Sequence, residues 1–422
     1  MRAYLLTLII ACTALLNSSC WDQRPIHNLA IVLGLGIDLL EPAEPAADAH
    51  ILITVELAHP IGDAQQGQAT LLSNSGRNIQ EAVRNLQQSL NRNLHWSHLD
   101  TLIIGQAAAR AGIADYLNLF FHNREKPEAV YIIIAEGAAK DALGGSIGLA
   151  NYVSGGIREL LQNQHGLTNG YIYPLKIQAY REAMMLPNSS VLIPMIAFLP
   201  PQAAQGSANP IPAGNELLPQ DEGNAMNSIN TQQEPTTNGN PNGTSANNNG
   251  FLQLRNMAII DANQRYIGQL IGQQNSGAHL WLNQINNFTV LIQGITAEQW
   301  LTVEINHWHR QLNWQIDAAS GQVRLLVQAH ARAYLGGKFE ATRYQEPYLL
   351  NQLAETTAQK LEQQMVAAWQ QLLYYSSDFL QLGHNLWRHH PTDWQLLANN
   401  WPDILATVEP EFQITVQVKP IL

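Results

Sequence analysis

Few groupings in this chain could do chemistry, and each asks for a context that its neighbours must supply. Residues 144–148, GGSIG, match the G-x-S-x-G pattern that presents a nucleophilic serine. That chemistry needs Ser146 on a sharp turn directly after a strand and opening a helix. Here the strand-like run stops near Gly137 and the helix-forming AAKDAL intervenes, so a glycine-rich break between helices describes the segment better. His307 and His309 stand at strand spacing on one face, whereas His389 and His390 are adjacent and would point apart on a strand. A zinc centre wants three or four convergent ligands, often spaced as H-E-x-x-H or paired C-x-x-C. Neither spacing occurs, and ordinary surface histidines are the simpler reading. Asp221 and Glu222 sit in a low-complexity stretch with no rigid scaffold to tune them, and GLGID (34–38) is too short a glycine pattern for a nucleotide loop. No catalytic residue, metal ligand or cofactor site is assigned.

The elements that would position such groups follow from periodicity. NLAIVLGLGIDLL (28–40) and ILITVELA (51–58) are apolar, β-branched runs joined by a turn-rich EPAEPAAD. Residues 76–90 place Ile79, Val83, Leu86 and Leu90 on one helical face. A strand at 99–106, a helix at 113–122 and a strand at 128–137 follow, an alternation that predicts mixed α and β elements around a sheet. Residues 201–250 change character: they are rich in Asn, Gln, Thr, Pro and Gly, with only four residues from Leu, Ile, Val, Phe, Tyr and Trp. Such a segment buries too little to offset its ordering entropy and reads as a disordered linker or long surface insertion. Beyond it, LRNMAIID and YIGQLIG predict a hairpin across Ala262 to Gln264, and 299–334 alternates like strands. The longest helix is expected over 347–374, with Leu350, Leu353, Thr357, Leu361, Met365, Ala368 and Leu372 on one stripe. FQITVQVKPIL closes the chain as an alternating strand.

The chain has 422 residues, 46% of them apolar, so two or three domains with sizeable cores are expected. Only 13% are charged and the net charge is −11, which argues against a broad basic face for nucleic acid or anionic membrane. Arg2 followed by the uncharged run Ala3–Leu16 has the length and charge of an export signal (1–19) and is short for a membrane span. The two cysteines are Cys12, inside this leader, and Cys20 at its end. With the leader removed, Cys20 has no intramolecular partner; it is free, paired with another chain, or chemically used. Ser18 and Ser19 before it suit the small-residue pattern of bacterial lipoproteins, in which the cysteine receives diacylglycerol and becomes the N-terminus, although Asn17 stands where Leu is usual. Cys20 is therefore the expected lipidation site, with a plain secretory signal as the other reading.

CWDQRPIHNLAIVLGLGID (20–38) resembles the start of the mature Ger(x)C proteins, lipoprotein subunits of spore nutrient germinant receptors. Cys20, Trp21, Asp22, Arg24 and Leu29 to Asp38 carry the likeness, with Pro25 in place of a common acidic residue. Residues 98–143 are similar to the family's strand, helix, strand and AK-D-L block. Residues 377–405 are similar to its D-x-F-G-x-G … W region through Asp378, Phe379, Gly383, Trp394 and Trp401, with Leu382 and His384 departing from it. The resemblance implies an α+β, multi-domain fold of mixed sheets packed with helices, divided as 20–200, the 201–250 insertion and 251–422. It implies a non-enzymatic subunit, lipid-anchored on the extracytoplasmic face of the spore inner membrane. Its partners would be two polytopic subunits, one transporter-like and one channel-like, with no nucleic acid and with small-molecule germinants acting on the complex rather than necessarily on this subunit. Trp21 would either pack on the first domain or sit at the membrane interface. The competing function is an extracytoplasmic solute-binding lipoprotein, which requires a deep pocket with convergent polar groups.

Overall fold

The computed structural model describes Tyr4 and residues 28–40, 50–58, 69–121, 129–148, 150–164, 172–186, 188–199, 251–285, 287–294, 300–317, 322–336 and 346–419. The rest of the leader, Cys20, Trp21, Asp22, Arg24, Asp221, Glu222 and the whole of 201–250 lie outside the described residues.

Four buried runs make the centre of a nine-stranded sheet: β1 (Leu29–Leu40), β5 (Thr101–Gly105), β6 (Tyr131–Ala135) and β7 (Val191–Leu199), all mutually parallel. Every residue of TLIIG and YIIIA is buried, as parallel strands covered on both faces require. β2 (His50–Leu57) and β3 (Thr70–Gly76) extend this centre antiparallel on one side, and the short β4 (Asn93–His95) pairs with the start of β1. On the other side β8 (Phe251–Ile260) and β9 (Tyr266–Leu270) form an antiparallel hairpin that adds to β7. The hairpin predicted from sequence thus continues the large sheet across the 201–250 segment, and the sheet includes residues on both sides of it.

Among the described residues six helices accompany this sheet: α1 (Ile79–Gln88), α2 (Gln106–Ala111), α3 (Ala114–Phe121), α4 (Ala139–Leu143), α5 (Val153–Gln164) and α6 (Ile177–Ala183). In α1 the Asn78 side chain caps the helix by accepting from the Glu81 amide at 2.9 Å, and Ile79, Ala82 and Leu86 face inward. Val83 and Leu90, expected on the same stripe, are half-buried. Helices α1, α2, α3 and α6 pack with Leu102, Ile104, Ile132 and Ile134 on one sheet face. Helices α4 and α5 pack with Ile103, Ile133 and Ile196 on the other.

A second, four-stranded sheet runs β10 (Phe288–Gln293), β11 (Trp300–Asp317), β12 (Gln322–Leu335) and β13 (Pro410–Lys419). Its inner face is covered by α7 (Gln273–Leu282) and α8 (Pro347–Tyr375). Proline at the first turn starts α8, and Leu353, Thr357, Leu361, Met365, Ala368 and Leu372 are its buried stripe, with Leu350 half-buried. Three short helices, α9 (Leu382–His389), α10 (Pro391–Leu397) and α11 (Trp401–Thr407), bring the chain back so that β13 joins β12 in parallel. The core under α4 and α5 is continuous with this second sheet, from Ile103 and Ile133 through Leu270 to Val327 and Leu361. The fold is α+β with two mixed sheets, as the sequence implied.

Candidate functional site: buried carboxylates and the cleft between the sheets

Three buried acids stand out, and each caps the start of a helix. Asp38, in β1, accepts the Ala139 and Lys140 amides at 2.7 and 2.9 Å and so holds the start of α4. Glu56, in β2, accepts the Val153 amide at 2.6 Å and the Ser154 amide at 2.9 Å, and the Ser154 hydroxyl also donates to it. Asp378, just past α8, accepts the Leu382 amide at 2.9 Å, the Gly383 amide at 2.7 Å and the Trp401 indole Nε1–H at 2.9 Å. Free amides at a helix start favour a negative group, which is why a buried carboxylate is tolerated here. Close backbone approach makes room for them. A Cβ on Gly34 would fall 1.9 Å from the Ser154 hydroxyl, and one on Gly105 would fall 2.1 Å from Asp38 Oδ1. The GLGID pattern therefore seats two helix starts against a strand.

Burial pushes all three carboxyls above the ordinary carboxylate range, against the backbone and side-chain donors that favour the charged form. For Asp378 the balance lands at about 6.

Asp378 organises the junction. Its residue forms an isolated parallel bridge with Ser189, in the segment leading to β7, so the C-terminal helices are stitched to the large sheet. Trp401 meets Trp314 and Trp394 edge to face, with ring centroids 5.9 and 5.3 Å apart, and Trp314 donates to Asn385 Oδ1 at 3.0 Å. At the end of α8, Tyr375 lies over Gly268 of β9, where a Cβ would come within 2.3 Å of its ring, and its hydroxyl is hydrogen-bonded to the Gln269 backbone. Between these two contacts opens a cleft of about 390 Å³, walled by Asn188, Asp261 and Ile267 from the large sheet's side and by Ser377, Trp401 and Leu405 from the other.

The remaining sequence candidates fall elsewhere. Ser146 is exposed and follows α4, with β6 ending at Ala135, so it stands on no strand-to-helix turn. His307 and His309 are exposed on the outer face of β11, opposite Arg332 and His330 of β12. His389 and His390 close α9 rather than lying on a strand, because the helical spacing of Leu382 and Leu386 buries one face of this segment. His390 Nδ1 lies 3.6 Å from Asp393. Among the described residues no three His, Cys, Asp or Glu side chains converge as metal ligands. Cys20 lies outside them. Sequence reasoning named Asp38 and Asp378 within larger blocks but passed over Glu56, Ser377 and Asp261. For Glu56 the available signal was a charge inside the apolar run ILITVEL.

Comparison with known proteins matches both ends of this architecture. Residues 22–198 match the family model described as the spore germination protein N-terminal domain, and residues 255–421 match that described as spore germination B3/GerAC like, C-terminal. Spore germination protein KC of Bacillus subtilis (strain 168) is 18% identical over 434 residues, covering 98% of this chain and 95% of that protein. Putative spore germination protein YfkR of the same organism is 31% identical over 150 residues, covering 35% of this chain and 39% of that protein. The crystal structure of the GerBC protein shares the fold, with a TM-score of 0.53 at 14% identity, covering 94% of this chain and 99% of that one.

Proposed function

Because the chain belongs to the Ger(x)C family of spore germination proteins, we propose that it is the lipid-anchored, non-enzymatic subunit of a nutrient germinant receptor. In this reading diacylglycerol on Cys20 holds the folded body at the outer face of the spore inner membrane, beside a transporter-like and a channel-like polytopic subunit. The observation that carries it is the placement of the two family matches: they span 22–198 and 255–421, and the first begins two residues after Cys20. Further support is physical. Among the described residues no helix is long and apolar enough to cross a membrane, so attachment through the leader cysteine would place the body at the surface. A diacyl anchor retains a protein durably and raises its effective concentration near membrane partners without a tight protein contact. The division into 20–200, 201–250 and 251–422 belongs to the same proposal, with 251–270 contributing strands to the first sheet.

Replacing Cys20 tests it. In spores carrying Cys20→Ser, the protein is expected to leave the inner-membrane fraction and nutrient-triggered germination to fall, while the body keeps its thermal transition. Full retention and normal germination would remove the anchor from the mechanism.

A further inference from the structure

The end of the large sheet at which its parallel strands begin is poor in acid. Residues 82–99 and 172–181 include Arg92, His95, His98 and Lys176 and no Asp or Glu, although the whole chain has a net charge of −11. The two segments meet at that end. Asn93–His95 (β4) pairs with Leu29–Ile31 of β1, and Lys176 bridges Tyr131, the first residue of β6, with its ammonium 5.3 Å from the ring centre. Gln87 of α1 clamps the turn, donating to the Arg92 carbonyl at 2.8 Å and accepting from the Leu94 amide at 2.8 Å. Trp96 and Leu99 are buried and fix the loop in which the His95 and His98 rings lie 6.0 Å apart. Asn93, His98 and Lys176 are exposed and Arg92 is half-buried. Asp100, the next acid along the chain, is paired with Arg158 at 3.0 Å. Chain length then limits how the body can sit. Leu29 stands nine residues after Cys20, so the link between them spans at most about 31 Å. β1 is 12 residues long and rises about 36 Å. With Cys20 at a bilayer, the far end of β1, where Leu40 pairs with His50, cannot face it, because Leu29 would then stand beyond the reach of the link. The body can rest on the strand-start end or on a side, and the acid-poor segments select the end.

We infer that the strand-start end of the large sheet rests on anionic lipid headgroups, with Arg92 and Lys176 meeting their phosphates beside the His95–His98 turn. Each cation held near an anionic bilayer strengthens binding roughly fivefold. Two of them are too few to hold the body alone. Joined to an anchor that already confines it, they decide which face looks at the bilayer. The acidic remainder of the chain is repelled by the same headgroups. The geometry rests on the Cys20-anchor reading; the charge recognition does not.

Flotation of the full chain with phosphatidylcholine vesicles, with and without phosphatidylglycerol, tests it. The Cys20→Ser chain is expected to favour the anionic vesicles by about twentyfold at low salt, whatever the leader adds being common to both lipids. Arg92→Gln and Lys176→Gln should each lower that ratio about fivefold. Neither side chain is buried, so the thermal transition should stay in place. On the acylated chain, with the leader removed, Cys20 is blocked and one introduced cysteine can carry a fluorophore, by Asn93→Cys at the near end or His50→Cys at the far one. Energy transfer to a headgroup acceptor in anionic vesicles is expected to be at least about twofold greater from position 93. The Arg92→Gln, Lys176→Gln double variant should lose that preference. An anionic-to-neutral ratio near one overturns the inference. So does a ratio that both replacements leave unchanged, or transfer from position 50 equal to that from position 93. Failure of the anchor reading looks different: wild type and Cys20→Ser then float equally on neutral vesicles, and the ratio measured on Cys20→Ser decides the headgroup contact by itself.

Discussion

Asp38 and Asp378 make the same local bond pattern in two different settings. Each accepts two amides at a helix start, at 2.7 and 2.9 Å. Asp38 sits inside one unit: it joins the central strand β1 to α4, and its carboxylate fills the space over Gly105. Asp378 sits at a seam. It gathers α9 and the Trp401 of α11, bridges to the approach of β7 through Ser189, and borders the cleft. The difference lies in what surrounds an identical cap. Within a single unit the carboxylate is a fastening; at the junction it also sets the charge of an opening and is pushed up to about 6 by burial.

Alanine substitution should separate the two most strongly. Asp378→Ala orphans three buried donors at the junction and is expected to cost about 3–5 kcal/mol in denaturant unfolding. Asp38→Ala leaves two, one of them only partly buried, and is expected to cost about 2–3 kcal/mol. Equal costs would mean that the junction adds nothing to the cap.

The second effect is pH dependence. The Asp378 carboxyl is raised from 3.8 to about 6, so the folded chain holds this proton more tightly than the unfolded one. Its protonated form therefore stabilises the fold fully below about pH 4, and that contribution is lost as pH rises to about 6. The stability of wild type relative to Asp378→Asn should accordingly fall by about 3 kcal/mol from pH 3 to pH 8. A relative stability that rises with pH would show that the donors outweigh burial.

Trp401→Phe is the smallest and most selective test. It removes one donor from Asp378 and keeps the ring contacts with Trp314 and Trp394. A loss of about 1.5 kcal/mol is expected, together with an upward shift of the carboxyl's titration, because this donor favours the charged form. Stability profiles of the variant across pH 4–8 read both at once.

Much of the framework was legible from local pattern. The stripe of α8 from Leu353 to Leu372, the buried runs of β5 and β6, and the alternation of β11, β12 and β13 all follow from repeat distances within one segment. The edge strand β3 was not legible, since TLLSNSG alternates weakly and is held mainly by pairing with β2. The amphipathic signal of α7 was equally faint, because Asn275, Ser276 and His279 are buried along with Leu280 and Trp281. A helix enclosed nearly all round shows no apolar stripe.

The sequence by itself determined which segments coil and which extend, and it supplied the blocks around Asp38 and Asp378 that carry the family likeness. Tertiary structure alone decided that β8 and β9 complete the first sheet, that β13 lies parallel to β12 across an intervening helical stretch, and that Asp261 and Ser377 share a cleft. The reason is range. Helix and strand periodicity is set by bonds and burial within a few residues, whereas sheet order and the convergence of polar groups depend on which distant surfaces exclude water together.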